Sequence, residues 1–334
     1  MKRLVIGLLA ASLCFALASC TSSKAEESQQ EEESSAQQEE AAGAQQGEAD
    51  IQATGGLDLK ADSENIAYAT LSPSQVLDIY LPANPSGEDA LLVLVHGGAF
   101  KFGDQKAAIF EGVIKRACES GYVVASVDYR KSDEATFPAS VSDVKAAVRF
   151  LKARASTYGI DTGKVAIWGE SAGAYLALMA ALTASTQELD GDVSDNAGVS
   201  SAVNALVSFY APVDFYTLGE QKAALGIDDP TNCAFEADYL GQPLTKDEGT
   251  TRKTWWKTYA EAQQLNLQAW IQAGGDDSNV PYTQSQDFAR ELAQLIGEEA
   301  VHFALIDGAK HMDAAFYTDE NLSQVFAFLD AALN

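Results

Sequence analysis

Three histidines and four cysteines in 334 residues leave little from which to build a multi-ligand zinc or iron centre, so no metal is expected. Positive charge is scarce too: 22 lysines and arginines face 48 aspartates and glutamates, a formal charge of -26 at neutral pH. A surface that negative repels phosphate backbones, which argues against nucleic acid as a partner. No internal repeat is visible. What is present, 47% hydrophobic and 21% charged residues, is the profile of a globular protein. Collagen-like, coiled-coil and wholly disordered classes are excluded.

The first fifty residues read differently from the rest. Lys2 and Arg3 precede an apolar run from Leu4 to Leu17 that ends in small residues before Cys20, the pattern of an export signal over residues 1–20. The run falls short of the about 20 apolar residues that span a membrane. Leu17-Ala18-Ser19-Cys20 resembles the lipobox of bacterial lipoproteins, which implies cleavage before Cys20, acylation of its thiol and a lipid anchor on the extracytoplasmic side of the cell envelope. Residues 21–50 hold nine acidic residues, one lysine and no aromatic, too little apolar surface to offset the entropy of ordering. The expectation is a disordered acidic stalk with a reach of roughly 30 Å. Residues 51–334 still carry 39 acidic against 19 basic residues, which favours neutral over polyanionic substrates. Of the cysteines left there, Cys118 lies at core spacing beside Val113, Ile114 and Ala117 and reads as a small buried hydrophobe. No bridge to Cys233 is expected.

From residue 51 onward, apolar bursts alternate with 3.6-period stretches. Strands are expected at Val76–Leu81, Leu91–Val95, Val123–Val127, Val165–Trp168, Ala205–Phe209, Leu267–Gln272 and Val301–Ile306, several of them continuously apolar as in strands covered on both faces. Helices are expected at Lys106–Ser120, Pro138–Tyr158 with Pro138 in the first turn, Ala172–Thr183, Tyr282–Ile296 and Glu320–Leu333. Such alternation predicts an α/β domain, a mostly parallel central sheet with helices on both faces. Residues 214–264 break the rhythm with two prolines and the aromatics Trp255, Trp256 and Tyr259. They form either a small cap insertion or a connection packed on the side of the domain. Together with Phe100 these aromatics provide either an acyl or sugar platform or simple packing.

Three short segments carry chemistry. Gly169-Glu170-Ser171-Ala172-Gly173 follows a strand and opens a helix, the context in which G-x-S-x-G forms a sharp turn presenting a nucleophilic serine. His96-Gly97-Gly98-Ala99-Phe100 ends another strand, and its small residues permit backbone N–H groups to point into a cavity where an oxyanion could sit. A serine hydroxyl needs a general base. His96 belongs to the small-residue loop and His302 alternates within the strand Val301–Leu305, which leaves His311 after the final strand. An orienting carboxylate is offered by Asp276 or Asp277 in Gly274-Gly275-Asp276-Asp277-Ser278-Asn279-Val280-Pro281, while Asp214 and Asp313 are less well placed.

These segments, with Val127-Asp128-Tyr129-Arg130, Phe137-Pro138-Ala139, Asp143-Val144 and Tyr158-Gly159-Ile160-Asp161, resemble the α/β-hydrolase superfamily. Within it the likeness is to carboxylesterases of the hormone-sensitive-lipase type and to bacterial acetyl xylan and feruloyl esterases of the BD-FAE kind. The resemblance implies Ser171 as nucleophile, His311 as base and acid, and Asp277 rather than Asp276 as orienter through the Asp-x-x-Val-Pro register. It also implies Gly98, Ala99 and Ala172 as oxyanion N–H donors, no cofactor, and a short-chain or carbohydrate ester as substrate. Ala99 stands where the lipase-type motif has a third glycine, which moves the likeness toward polysaccharide esterases. A serine peptidase or amidase would use the same residues. A non-catalytic binding lipoprotein is the alternative from another class.

Overall fold

A strand that is apolar at every position is stable only when both of its faces are covered. In the computed structural model, which describes residues 57–191, 196, 198–227, 233–244, 251–260 and 265–334, this condition is met at the centre of one eight-stranded sheet. The strands are β1 (Ser63–Ala67), β2 (Val76–Tyr80), β3 (Asp89–Val95), β4 (Val123–Val127), β5 (Ile160–Glu170), β6 (Ala205–Phe209), β7 (Gln268–Gly274) and β8 (Val301–Ile306). Their spatial order is β1-β2-β4-β3-β5-β6-β7-β8, with β1 and β2 antiparallel to their neighbours and all other pairs parallel. The expected export signal, Cys20 and acidic stalk lie outside the described residues.

Side chains alternate across the sheet with period two. In β3, Leu91, Val93 and Val95 enter one core while Leu92 and Leu94 enter the other; in β5, Val165 and Ile167 are divided from Ala166 and Trp168 in the same way. The first core is closed by α2 (Ala139–Ala153), α4 (Ser171–Leu182) and α8 (Tyr282–Ile296), the second by α1 (Glu111–Glu119) and α9 (Asp319–Leu333). All twelve residues of α4 are buried, so its apolar character all round is what its position requires. Each fully buried Leu or Ile in these layers contributes about 1.5–3 kcal/mol relative to exposure.

The observed elements depart from the expected ones at several points. β1 was not expected, and β3 and β5 begin earlier, at Asp89 and Ile160. The helix expected over Lys106–Ser120 is a 3-10 turn at Ala108–Phe110 followed by α1. Pro138 stands at the N-cap rather than in the first turn of its helix, which ends at Ala153 and gives way to α3 (Ala155–Tyr158). Cys118 is half-exposed rather than buried; partial burial still pushes its thiol up to about 11. It forms no disulfide with Cys233.

Within 214–264 the described parts are α5 (Leu218–Ala224), α6 (Ala234–Leu240), a 3-10 turn at Thr251–Thr254 and α7 (Lys257–Ala260). They are anchored to the first core. Tyr239 of α6 stacks on Phe100 at 4.1 Å, and Trp256 meets Phe288 of α8 edge-on at 5.3 Å. Phe100 and Trp256 are therefore packing residues, whereas Trp255 and Tyr259 are half-buried and the Arg252 guanidinium lies over the Trp255 ring at 4.3 Å.

Candidate active site

Ser171 is the first residue of α4, at the carboxyl end of β5, and its φ of 49° lies in the left-handed region that costs a side-chain-bearing residue energy. The turn holds that strain because backbone packs on backbone around it. A Cβ added at Gly173 would stand 2.1 Å from the Val95 carbonyl oxygen and 2.3 Å from that of His96. Neither obstacle is a flexible side chain. Gly173→Ala is therefore expected to destabilise the fold by about 3 kcal/mol or more, read as a lowered denaturant midpoint. An unchanged midpoint would show that the turn can relax.

The same approach brings the His96–Phe100 loop against the nucleophile turn: a Cβ at Gly97 would come within 3.1 Å of Ser171 Cβ. Gly98 adopts φ 107°, where a side chain would in addition meet the Phe102 carbonyl oxygen at 2.3 Å, and Ala99 and Phe100 continue in the left-handed region at 52° and 62°. The loop is held from beneath. His96 is 1% exposed, stacks on Tyr129, and faces acceptors at both ring nitrogens, the Gly97 carbonyl at 2.7 Å and Asp128 Oδ1 at 3.1 Å. Burial alone would raise Asp128, but the His96 hydrogen bond and charge and the nearby Lys131 hold it below the usual carboxylate range. Ala172 stands in the first turn of α4, where its N–H has no carbonyl available within the helix.

His311 follows β8 and reaches Ser171. Its Nε2 is 2.9 Å from Ser171 Oγ and its Nδ1 is 2.7 Å from Asp277 Oδ2. A carboxylate can only accept, so Nδ1 carries the proton and Nε2 is left to accept the Ser171 hydroxyl. Asp277 is itself fixed: its Oδ1 accepts from the Asn279 and Val280 N–H groups at 2.8 and 2.9 Å. Of the other carboxylates considered, Asp276 is exposed. Asp214 accepts from Tyr216 N–H and the Thr217 hydroxyl, and Asp313 caps Ala315 N–H. His302 is exposed on β8 and stacks on Trp270 at 5.7 Å. Among the described residues, no group of three His, Cys, Asp or Glu side chains is gathered to hold a metal ion.

Charges other than that of Asp277 also act on the imidazole. Burial alone would lower His311, but the charge and hydrogen bond of Asp277 and the charge of Glu170 outweigh it, so His311 titrates above the ordinary histidine value despite the opposing charge of Lys222 on α5. Glu236 on α6 is pushed up by burial against the attraction of Lys222 and His311. Glu170, Tyr210 and Tyr317 are site residues that sequence reasoning passed over. The available signal was a charged side chain at the variable position of G-x-S-x-G, between an apolar strand and an apolar helix.

A family model named BD-FAE matches residues 77–292, from β2 into α8. The chain belongs to the BD-FAE family. A curated relative of this BD-FAE protein, the probable carboxylic ester hydrolase LipM of Mycobacterium tuberculosis, is 26% identical over 278 residues, covering 80% of this chain and 62% of the relative. The probable isoprenylcysteine alpha-carbonyl methylesterase ICME of Oryza sativa subsp. japonica is 27% identical over 244 residues, 72% of this chain and 56% of the relative. The chain thus spans about three fifths of these relatives' length. Among solved structures, a bifunctional GH43-CE protein of Bacteroides eggerthii aligns with TM-score 0.71 and 26% identity over 83% of this chain and 36% of its own. A truncated carbohydrate esterase from gut microbiota aligns with TM-score 0.69 and 23% identity over 83% of this chain and 99% of its own. The fold is that of the α/β hydrolases.

Proposed function

We propose that this BD-FAE protein is a serine esterase that removes acetyl or similarly short acyl groups from carbohydrate or small-molecule alcohols. The observation that carries the reading is the unbroken chain from Ser171 Oγ through the His311 ring to Asp277, set on a strained turn. In the first step Ser171 Oγ attacks the ester carbonyl while His311 Nε2 takes its proton. The oxyanion is received by the N–H groups of Gly98, Ala99 and Ala172. Collapse restores the carbonyl and breaks the bond from its carbon to the alcohol oxygen, and the alcohol leaves with the proton from His311. Water then repeats the sequence and frees the acid. Two observations favour short acyl groups on sugars: Phe100, Tyr175, Phe215 and Tyr239 pack tightly beside the oxyanion loop, and a solved neighbour is titled a carbohydrate esterase. The proposal includes export and anchoring through Cys20, supported by Leu17-Ala18-Ser19-Cys20.

The test is a panel of nitrophenyl esters of increasing chain length, acetylated sugars and a peptide anilide. Highest kcat/KM on acetyl esters is expected; turnover of the anilide with inert esters would overturn the reading in favour of an amidase. The pH profile adds a sign. Only neutral His311 accepts the serine proton, and its raised pKa keeps it protonated to higher pH. The acid limb of kcat/KM is therefore expected above the pH of an unperturbed imidazole, with activity rising as pH rises through it. A limb below that pH would contradict the geometry.

A further inference from the structure

Glu170 occupies the position before the candidate nucleophile, where its side chain is only 3% exposed. A carboxylate buried there needs donors, and three surround it from different parts of the chain. Oε1 accepts from Gly97 N–H at 3.3 Å; Oε2 accepts from the Tyr210 hydroxyl at 2.7 Å and the Tyr317 hydroxyl at 3.1 Å. The two phenol oxygens are also 2.5 Å apart. Tyr210 follows β6 with φ 43°, a costly conformation for an aromatic residue, and its ring meets His311 edge-on at 4.8 Å. Tyr317 ends the 3-10 turn just beyond His311.

We infer that Glu170 is a positioning residue whose carboxylate ties the oxyanion loop, the nucleophile turn, the end of β6 and the segment after His311 into one frame, and presents a second negative charge to the site. This rests on the esterase reading above. It has two consequences. The Gly97 N–H is engaged by Glu170, which leaves oxyanion binding to the N–H groups further along the loop and to Ala172. The imidazolium that forms as Ser171 gives up its proton is stabilised by Glu170 in addition to Asp277. The other charged or titratable groups that act on His311 are Lys222 from α5, which opposes this, Glu236 from α6, and Tyr210, whose ring meets it edge-on while its hydroxyl donates to Glu170.

The deciding experiment compares Glu170→Gln with the wild type by kcat and KM on nitrophenyl acetate across pH, and by nuclear magnetic resonance titration of the labelled His311 imidazole. Glu170→Gln keeps volume and removes charge. The expected result is a roughly tenfold lower kcat with little change in KM, and an acid limb and imidazole midpoint both moved to lower pH. A lower kcat with neither moved would leave Glu170 a packing residue and overturn the inference, as would an unchanged kcat. Tyr317→Phe removes one donor and keeps the charge, so kcat is expected to fall by less and the limb to stay in place. A limb that moves as far as in Glu170→Gln would overturn the charge effect. Should Glu170→Gln fail to fold, an unchanged kcat in Tyr317→Phe overturns the inference. If the wild type hydrolyses no ester yet the His311 midpoint still falls in Glu170→Gln, the esterase reading fails and the charge effect stands.

Discussion

Replacement of Ser171 by alanine is expected to lower kcat for nitrophenyl acetate by roughly 10⁶-fold, the scale on which loss of an activated nucleophile is felt. The change deletes only Oγ, the atom 2.9 Å from His311 Nε2, and leaves the left-handed turn to a residue that tolerates it no worse than serine. The thermal midpoint should therefore stay close to that of the wild type, which separates lost chemistry from lost folding. If Ser171 and His311 act as a unit, as proposed, combining Ser171→Ala with His311→Ala should cost little more than either alone. Near-normal turnover by Ser171→Ala would remove the acyl-enzyme mechanism.

Asp277→Asn is expected to lower kcat by about 10⁴-fold, and the surrounding hydrogen bonds say why. Oδ1 of Asp277 accepts two backbone N–H groups, so an asparagine there must keep its carbonyl oxygen on Asn279 and Val280. Its amide nitrogen is then turned toward His311 Nδ1 and donates to it. That forces the imidazole proton onto Nε2, where it can no longer accept from Ser171. The loss of the Asp277 charge, the main influence holding His311 up against burial, should also move the acid limb to lower pH. Asp276→Asn is the control, because Asp276 is exposed and does not reach the imidazole. Equal losses at the two positions would refute the assignment.

Most of the sheet could be read from the chain because its central strands are apolar at consecutive positions, as in Leu91–Val95 and Val165–Trp168. β1 escaped because Ser63-Glu64-Asn65-Ile66-Ala67 is a polar edge strand, half exposed and paired on one side only. The early start of β5 escaped for a related reason: Asp161, Thr162, Gly163 and Lys164 interrupt the hydrophobic pattern, and only pairing with β3 from Asp89 onward extends the strand to Ile160. Ser171 and the His96–Phe100 loop were visible because their local geometry demands glycine or small residues at fixed offsets. Glu170, Tyr210 and Tyr317 were not, since a carboxylate shared by segments from four regions leaves no spacing in the sequence. Asp277 and Asp276 were separated only by the Asp-x-x-Val-Pro register of the resemblance, because which way each side chain turns is a property of the folded loop.

The hydrogen bond between Ser171 and His311 joins residues 140 positions apart, and that between Glu170 and Tyr317 joins residues 147 apart. Closing loops of that length precedes any reward from the contacts they allow, so such contacts are expected to form late during folding. A chain still emerging from the ribosome, or one that has collapsed without docking β8, holds its serine with no base beside it. Under the proposed esterase mechanism, turnover would report completion of the whole α/β layer structure, and an unfinished molecule is expected to be inert toward the esters around it.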